Sequence, residues 1–213
     1  MPAATAFTVT ALDWEKLWAP YDEPTYQAVL EQIRPEDVVL EIGAGDFRLA
    51  RRMAGQCRLV YAIELNRQLI SLASPAPAAH NQPAGERNSR LKIIWADAYT
   101  YPFPQAITVG VLLMRHCRQF HIFAGKLAAA GCTRLVTNAR WGMGVEVVDL
   151  VEARPAYADL PMGWFACWCG ATGFKPGPPE KVTPWLAETV HEVGDCPACR
   201  PCGASMEAPN VKQ

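Results

Sequence analysis

The stretch Val38-Val39-Leu40-Glu41-Ile42-Gly43-Ala44-Gly45-Asp46 decides the fold, and Val60-Tyr61-Ala62-Ile63-Glu64-Leu65 is its counterpart. Each opens with a short apolar run suited to a strand buried on both faces. The first ends in a glycine turn, the second in a lone carboxylate. A strand, a glycine turn, a helix and a second strand closing on an acid about 20 residues later is how a βαβ unit holds a nucleoside. Glycine lets the backbone come close to the ligand, and the carboxylate binds two ribose hydroxyls. Asp97, after a third apolar run, adds a further acid at the same level.

The turn also says which nucleoside. A dinucleotide site wants a third glycine three residues after the second, so that the helix packs tightly and holds a pyrophosphate. That position is Arg48 here, and Asp46 stands where the first helical turn would meet phosphate and repel it. A sulfonium cofactor has no phosphate and is positively charged, so an acidic loop suits it. The rival reading, a nucleotide-dependent oxidoreductase, is weakened on the same grounds.

Glu41-Ile42-Gly43-Ala44-Gly45 resembles the first motif of class I S-adenosylmethionine-dependent methyltransferases, an acid followed by two glycines at alternate positions. Glu64 matches the acid that this family uses for the ribose hydroxyls. Trp95-Ala96-Asp97-Ala98 resembles the later motif whose acid reads the adenine amino group. The resemblance covers about residues 25–140. It implies S-adenosylmethionine as cofactor, held by Glu41, Gly43, Ala44, Gly45, Glu64, Leu65, Asp97 and Ala98, and a methyl transfer to an acceptor it does not name.

The rest of the chain reads as alternating strands and helices. Apolar faces at Trp14, Leu17 and Trp18, then at Tyr26, Val29, Leu30 and Ile33, predict an N-terminal helical segment over 1–34. Strands are expected at 38–42, 59–64, 92–95, 107–113 and 133–137. Helices are expected from near Asp46, an acceptable N-cap, to about 56, over 66–73, and over 117–130 with Gly131 at the stop. Residues 74–90, with three prolines, read as a long loop. The fold class is α/β, a Rossmann-like methyltransferase fold over 35–151 with a mostly parallel central sheet. A further β-rich run covers 145–151. Residues 152–203 form a small C-terminal zinc-binding β module, and 204–213 a disordered tail.

Composition bounds the partners. Half of the 213 residues are hydrophobic, 19% are charged and the net charge is −1, so no global basic field recruits nucleic acid. Nucleic acid is not excluded. Arg48, Arg51, Arg52 and Arg58 read as a solvated helix face. Residues 1–10 do not read as a signal peptide, and no apolar run reaches the ~18 residues that span a bilayer. A cytoplasmic protein is expected, with its eight cysteines reduced.

Five of those cysteines lie in 167–202. Cys167-Trp168-Cys169-Gly170 is followed by Cys196-Pro197-Ala198-Cys199 and then Cys202, with 26 residues between Cys169 and Cys196. Two close pairs separated by a short β-rich insert suit a tetrahedral thiolate site on two turns. The arrangement resembles a zinc ribbon, except that the first pair has one intervening residue. The metal set is Cys167, Cys169, Cys196 and Cys199, with Cys202 as a possible substitute in a 199/202 pair and His191 as a weaker candidate. Metal-free thiols and an iron–sulfur cluster are the other readings. Cys57, Cys117 and Cys132 read as small apolar residues.

The segment after the fourth strand bears on the acceptor. Methyltransferases acting on exocyclic amines of adenine or cytosine often place Asn or Asp, an apolar residue or Pro, then Pro and an aromatic there. This chain has Met114-Arg115-His116-Cys117, which counts against a nucleobase amine. His116 is a candidate base and Arg115 a candidate anion site, although both could simply lead into the next helix. Trp141 and Trp164 could wall a substrate pocket or pack the core. A methyltransferase is the expectation. A non-catalytic adaptor that keeps the fold and binds through its zinc module is the alternative.

Overall fold

A computed structural model describes residues 20–73, 90–115, 117–140 and 144–199. The first expected helix, the loop 74–89, His116, Trp141, Cys202 and the tail lie outside these residues. In chain order the elements are helix α1 (Glu23–Leu30), β1 (Val38–Ile42), α2 (Arg48–Gln56), β2 (Leu59–Glu64), α3 (Arg67–Ala73), β3 (Leu91–Trp95), β4 (Val109–Leu112), α4 (Phe120–Ala129), β5 (Arg134–Thr137) and β6 (Glu146–Asp149). A 3-10 turn at Tyr157–Asp159 leads to β7 (Gly163–Cys167) and β8 (Thr172–Lys175). Helix α5 (Pro184–Glu188) and β9 (Val190–Val193) follow.

Strands β1 to β6 form one sheet in the order β3-β2-β1-β4-β5-β6, parallel except for β6. This is the Rossmann-like methyltransferase fold. The order reverses between β1 and β4, and a crevice opens there beyond the carboxyl ends of the strands. The sheet separates two apolar layers. One face carries Val39, Val60, Val109, Val111 and Val136 against Tyr26, Val29, Leu49 and Met53 of α1 and α2. The other carries Leu40, Ile42, Ile63, Leu112 and Leu135 against Phe120, Phe123 and Leu127 of α4.

Local chemistry sets the ends of the helices. Asp22 caps α1 by accepting the Thr25 N–H at 3.1 Å. Helix α2 begins two residues later than the sequence suggests. Phe47, fully buried, is its N-cap in the left-handed region with φ 64°. Anchoring that ring in the core outweighs a backbone cost of about 1–2 kcal/mol. Asp46 still serves the helix start, accepting the Arg48 N–H at 3.1 Å. Helix α4 starts at Phe120 instead of 117, because 117–119 form turns that lack an apolar face.

Strands β8-β7-β9 form a second, three-stranded sheet, with β7 antiparallel to β8 and parallel to β9. Its core is Leu160, Phe165, Cys167, Val193 and Cys196. It is joined to the main sheet by Arg140, whose side chain is 0% exposed. The guanidinium donates to Glu146 on β6 at 3.0 Å, to Glu192 on β9 at 2.5 and 3.1 Å, and to the Cys167 carbonyl at 3.4 Å. Its plane lies 4.9 Å from the Phe120 ring centroid. Gly170, with φ 95°, presses on α4 so closely that a Cβ would sit 3.0 Å from Phe120 Cβ.

Removing Arg140 would strand two carboxylates at this joint. Arg140→Met is expected to cost about 3 kcal/mol of unfolding free energy, the low end for breaking a buried pair because both glutamates keep some solvent. Urea unfolding gives the loss, and hydrogen exchange should place it first at β7 and β9. A variant as stable as the parent would show that apolar contact alone seats the second sheet.

Candidate functional site

The loop after β1 is held by β2. The N–H groups of Gly43 and Ala44 both donate to the Ile63 carbonyl, at 2.9 and 3.0 Å. Glu64 Oε2 accepts the Gly45 N–H at 2.8 Å and Oε1 accepts the Asn66 N–H at 2.7 Å. The two glycines have φ +72° and +58°, conformations in which a side chain is strained. A Cβ on Gly43 would meet Met114 Cε at 2.3 Å. Backbone and carboxylate thus form one rigid corner at the carboxyl ends of β1 and β2.

A cavity of about 350 Å³ opens from this corner. Glu41, Gly43, Ala44 and Gly45 form one wall, Leu113, Met114 and Arg115 the opposite one, and Tyr21 and Tyr26 the third. Tyr21 closes onto β4. Its hydroxyl donates to the Leu113 carbonyl at 3.2 Å and accepts the Arg115 N–H at 3.4 Å, while Arg115 lies over its ring at 5.1 Å.

The cavity carries ionisable side chains of both signs, Glu41 and Asp46 beside Arg48 and Arg115. Glu41 is 5% exposed, and its Oε2 has no hydrogen-bond partner. Burial pushes its carboxyl up to about 8, with the nearby charges of Asp46 and Glu64 adding to the rise. Asp46 is paired with Arg48, so the loop repels an anion less than the sequence suggests. What remains is a buried carboxyl in the cavity wall, protonated up to about 8, with one oxygen that has no partner.

Among the residues singled out from sequence, Glu41, Gly43, Ala44 and Gly45 line the cavity, and Glu64 joins them through Gly45. Leu65, 63% exposed, and Asp97 lie farther along the same carboxyl edge, past β2 and β3. The Ala96 N–H donates to the Glu64 carbonyl at 3.2 Å. Asp97 Oδ1 accepts the Tyr99 N–H at 2.8 Å, and Lys126 ties the turn down through the carbonyls of Ala98, Tyr99 and Tyr101. Met114 and Arg115, the residues after the fourth strand, line the cavity, whereas Tyr21 was missed by sequence reasoning. Tyr21 lies 92 residues from its partner Leu113, so no periodicity reveals it.

The second cluster is the set of four cysteines. The sulfurs of Cys167, Cys169, Cys196 and Cys199 all lie within 4.8 Å of one another. Measured pairs are 3.5 Å for Cys167–Cys199 and 3.6 Å for both Cys169–Cys196 and Cys196–Cys199. A disulfide needs about 2.05 Å, whereas the edge of a tetrahedron with metal–sulfur bonds of about 2.3 Å is about 3.8 Å. The spacing fits a metal held by four thiolates. Burial pushes the Cys167 and Cys169 thiols up, the latter to about 11, so their ionisation near neutrality calls for a cation. His191 is not part of this set, and its Nε2 is buried without a partner.

With this geometry, residues 22–139 match the family model for ribosomal RNA adenine dimethylase. The chain belongs to that family. No curated protein matches it. Among solved structures it is similar to a dimethyladenosine transferase from Plasmodium falciparum (18% identity, covering 55% of this chain and 41% of that one, TM-score 0.42). It is also similar to the 23S rRNA methyltransferase ErmE (21%, 55% and 46%, TM-score 0.42). A third likeness is a precorrin 8w decarboxylase from Methanobacterium thermoautotrophicum (19%, 55% and 63%, TM-score 0.42). The chain spans less than two thirds of the length of each. Within the family match, the end of β4 still reads Leu113-Met114-Arg115. No described helix is long and apolar enough to cross a membrane.

The buried acid has a pH signature. Glu41 is protonated in the folded protein up to about 8 but ionises near 4.5 when unfolded, so the folded state binds the extra proton between those values. Stability of the ligand-free protein should therefore fall as pH rises from about 4.5 to about 8 and level off above. In Glu41→Gln that component of the slope should vanish. Thermal melts of both proteins across this range measure it. Parallel profiles would mean that Glu41 is solvated.

Proposed function

We propose that this chain is a methyltransferase that binds S-adenosylmethionine along the carboxyl edge of β1, β2 and β3 and methylates ribosomal RNA. The observation that carries the reading is the unpartnered Glu41 oxygen in the wall of a glycine-opened cavity. S-adenosylmethionine has both a sulfonium and an ammonium charge to offer such an acid. The fit extends outward. Gly43, Ala44 and Gly45 let backbone approach the ligand, Glu64 has lone pairs left for ribose hydroxyls, and Leu65, Asp97 and Ala98 flank the place for the adenine. The family description supports ribosomal RNA as the acceptor.

When bound, the cofactor supplies an electrophilic methyl group. The protein's own contribution is to hold the acceptor in line with that methyl and to keep water out. A dedicated base is optional when the nucleophile is a neutral amine, so the reading does not depend on His116. A second reading, a non-catalytic adaptor, draws on the β4 end, where Met114 and Arg115 stand in place of the expected amide.

We further infer that the four cysteines hold one zinc ion, in a reducing, cytoplasmic setting. Residues 35–151 then form the cofactor domain and 152–203 the zinc module. A filled thiolate set leaves no open coordination position, so the metal would serve folding rather than catalysis.

Calorimetry with S-adenosylmethionine tests the cofactor site. Glu64→Ala should lose at least about tenfold in affinity, the worth of one charge-assisted hydrogen bond of about 1.5–3 kcal/mol, with circular dichroism unchanged. Unaltered affinity would reject the ribose assignment. Transfer of a labelled methyl group to unmethylated ribosomal RNA separates the enzyme from the adaptor, which would bind the cofactor and label nothing.

Elemental analysis of anaerobically purified protein should find about one zinc per chain, lost in Cys196→Ser and retained in Cys202→Ser. Iron, or no metal, would overturn the zinc assignment.

A further inference from the structure

The turn from Cys167 to Gly170 carries two of the four clustered cysteines and also touches the main sheet's layer. The Gly170 N–H closes it by donating to the Cys167 carbonyl at 2.9 Å, and the Trp168 N–H donates to the Val193 carbonyl at 3.1 Å. Its outer side meets the first domain at three points. Gly170 lies against Phe120, where a Cβ would come within 3.0 Å of Phe120 Cβ. The Cys167 carbonyl accepts from Arg140 at 3.4 Å, and Trp168 packs on the cluster that holds Phe120, Leu112 and Leu135. One turn therefore faces the sulfur cluster on one side and α4 with the end of β5 on the other.

Both of those seats lead to the cavity. Phe120, 0% exposed, is the first residue of α4, and a short run of turns joins it to the cavity wall. The Phe120 N–H donates to the Cys117 carbonyl at 3.3 Å, and the Cys117 N–H to the Met114 carbonyl at 3.1 Å. Met114 lines the cavity with its methyl group over Gly43. On the β5 side, Arg140 follows Ala139, whose N–H donates to Thr137 Oγ1, and that hydroxyl donates to the Leu112 carbonyl at 2.7 Å. Leu113, the next residue, is again a wall residue. The two seats also meet each other, with the Arg140 guanidinium 4.9 Å from the Phe120 ring centroid. The glycine corner across the cavity is held differently, by hydrogen bonds to Ile63 and Glu64 of β2.

The second sheet has a small core, and two of its five fully buried members, Cys167 and Cys196, belong to the sulfur cluster. A core of that size needs a cross-link, which four thiolates on one ion provide. We propose that the cysteine turn is a positioning element for methyl transfer. With metal bound, Cys167–Gly170 seats Phe120 and Arg140, and through them it fixes the Leu113–Arg115 wall, whereas the glycine corner keeps its form with or without metal. Gly170 is the residue of contact, its missing side chain required both by φ 95° and by the close approach to Phe120. The proposal rests on the metal and methyltransferase readings above and adds what the metal controls.

The test compares the full chain as purified, after anaerobic chelation, and after zinc is returned. Chelation should speed hydrogen exchange at the Cys117 and Phe120 amides by about tenfold or more, the mark of a local opening, while the Gly43, Ala44 and Gly45 amides keep their rates. Affinity for S-adenosylhomocysteine should hold. The kcat for methyl transfer to unmethylated ribosomal RNA should fall by about 10²-fold, the scale of a small misplacement at a reacting centre, and zinc should restore both readings. Gly170→Val keeps every thiol, so it should retain metal and still reproduce the faster exchange and the lower kcat. If valine there loses the metal, Gly170→Ala takes its place.

Unchanged exchange at Cys117 and Phe120 in the metal-free chain would overturn the proposal. Equal loss at the glycine amides, or of S-adenosylhomocysteine affinity, would make the metal a support of the whole fold and overturn it too. A metal-loaded Gly170 variant with parental exchange and kcat would do the same. Failure of the metal reading is seen separately, as a parent in which elemental analysis finds no metal, and the proposal then falls with it. A parent that binds cofactor but labels no RNA refutes the methyl-transfer role, whatever the exchange shows.

Discussion

Arg140 is a fully buried side chain on which both sheets converge. A guanidinium with no solvent exposure must place all its N–H groups on protein acceptors, and here they go to two carboxylates on different sheets and to a backbone carbonyl. The planar fork fixes direction as well as charge, so β6 and β9 are held at a set orientation in a way that lysine could not reproduce. Arg154 reinforces the far side, pairing with Glu192 at 3.2 Å and lying over Trp168 at 4.6 Å. Burying such a charge has a large desolvation cost, and paired geometry offsets it only when every partner is in place. The orientation of the cysteine-bearing sheet is therefore an all-or-none consequence of this contact and the Gly170–Phe120 approach.

The opposite economy governs the glycine loop. A polar group there is left without a partner: Glu41 is 5% exposed, and burial, helped by two nearby acids, holds its carboxyl protonated up to about 8. A protein that needed only a tight strand-to-helix turn would gain by placing an apolar residue at 41, since the rest of β1 is Val, Leu and Ile. Retaining a carboxyl group there costs stability, a pattern that marks ligand sites more often than structural ones. The neighbouring acid is treated differently. Asp46 is paired with Arg48 and accepts the Arg48 N–H at the start of α2.

The sheet was legible because its determinants are local. Val38–Ile42 is apolar except for Glu41, and Leu59–Ile63 is a continuous apolar run closed by Glu64, patterns that suit a buried parallel strand. The cysteine pairs were legible because both turns are short, so spacing in sequence is spacing in space. Helix starts were less so. Phe47 takes a left-handed conformation that no propensity favours for an aromatic, because its ring is locked in the core, and this moves the start of α2 from Asp46 to Arg48. Tyr21 and Arg140 were not legible at all. Their roles depend on strand register and on partners far along the chain, Leu113 at 92 residues and Glu192 at 52.

These features divide the carboxyl edge of the sheet into two halves with different logic. On the β1, β2 and β3 side, two of the three acids are tied into backbone hydrogen bonds, Glu64 to Gly45 and Asn66 and Asp97 to Tyr99, while Glu41 keeps an unpartnered oxygen. That half is pre-formed, and a ligand meets a surface whose geometry is already fixed. On the β4 and β5 side, Met114 offers a flexible thioether over Gly43, and Asn138 offers an amide with nothing attached. Two residues beyond that amide the chain is clamped again at Arg140, so the strand that carries Asn138 is anchored on both sides while its side chain is left unpaired. Buried polar atoms without a partner therefore stand in both halves of this edge, Glu41 Oε2 on β1 and the Asn138 amide after β5, and the first of them borders the cavity.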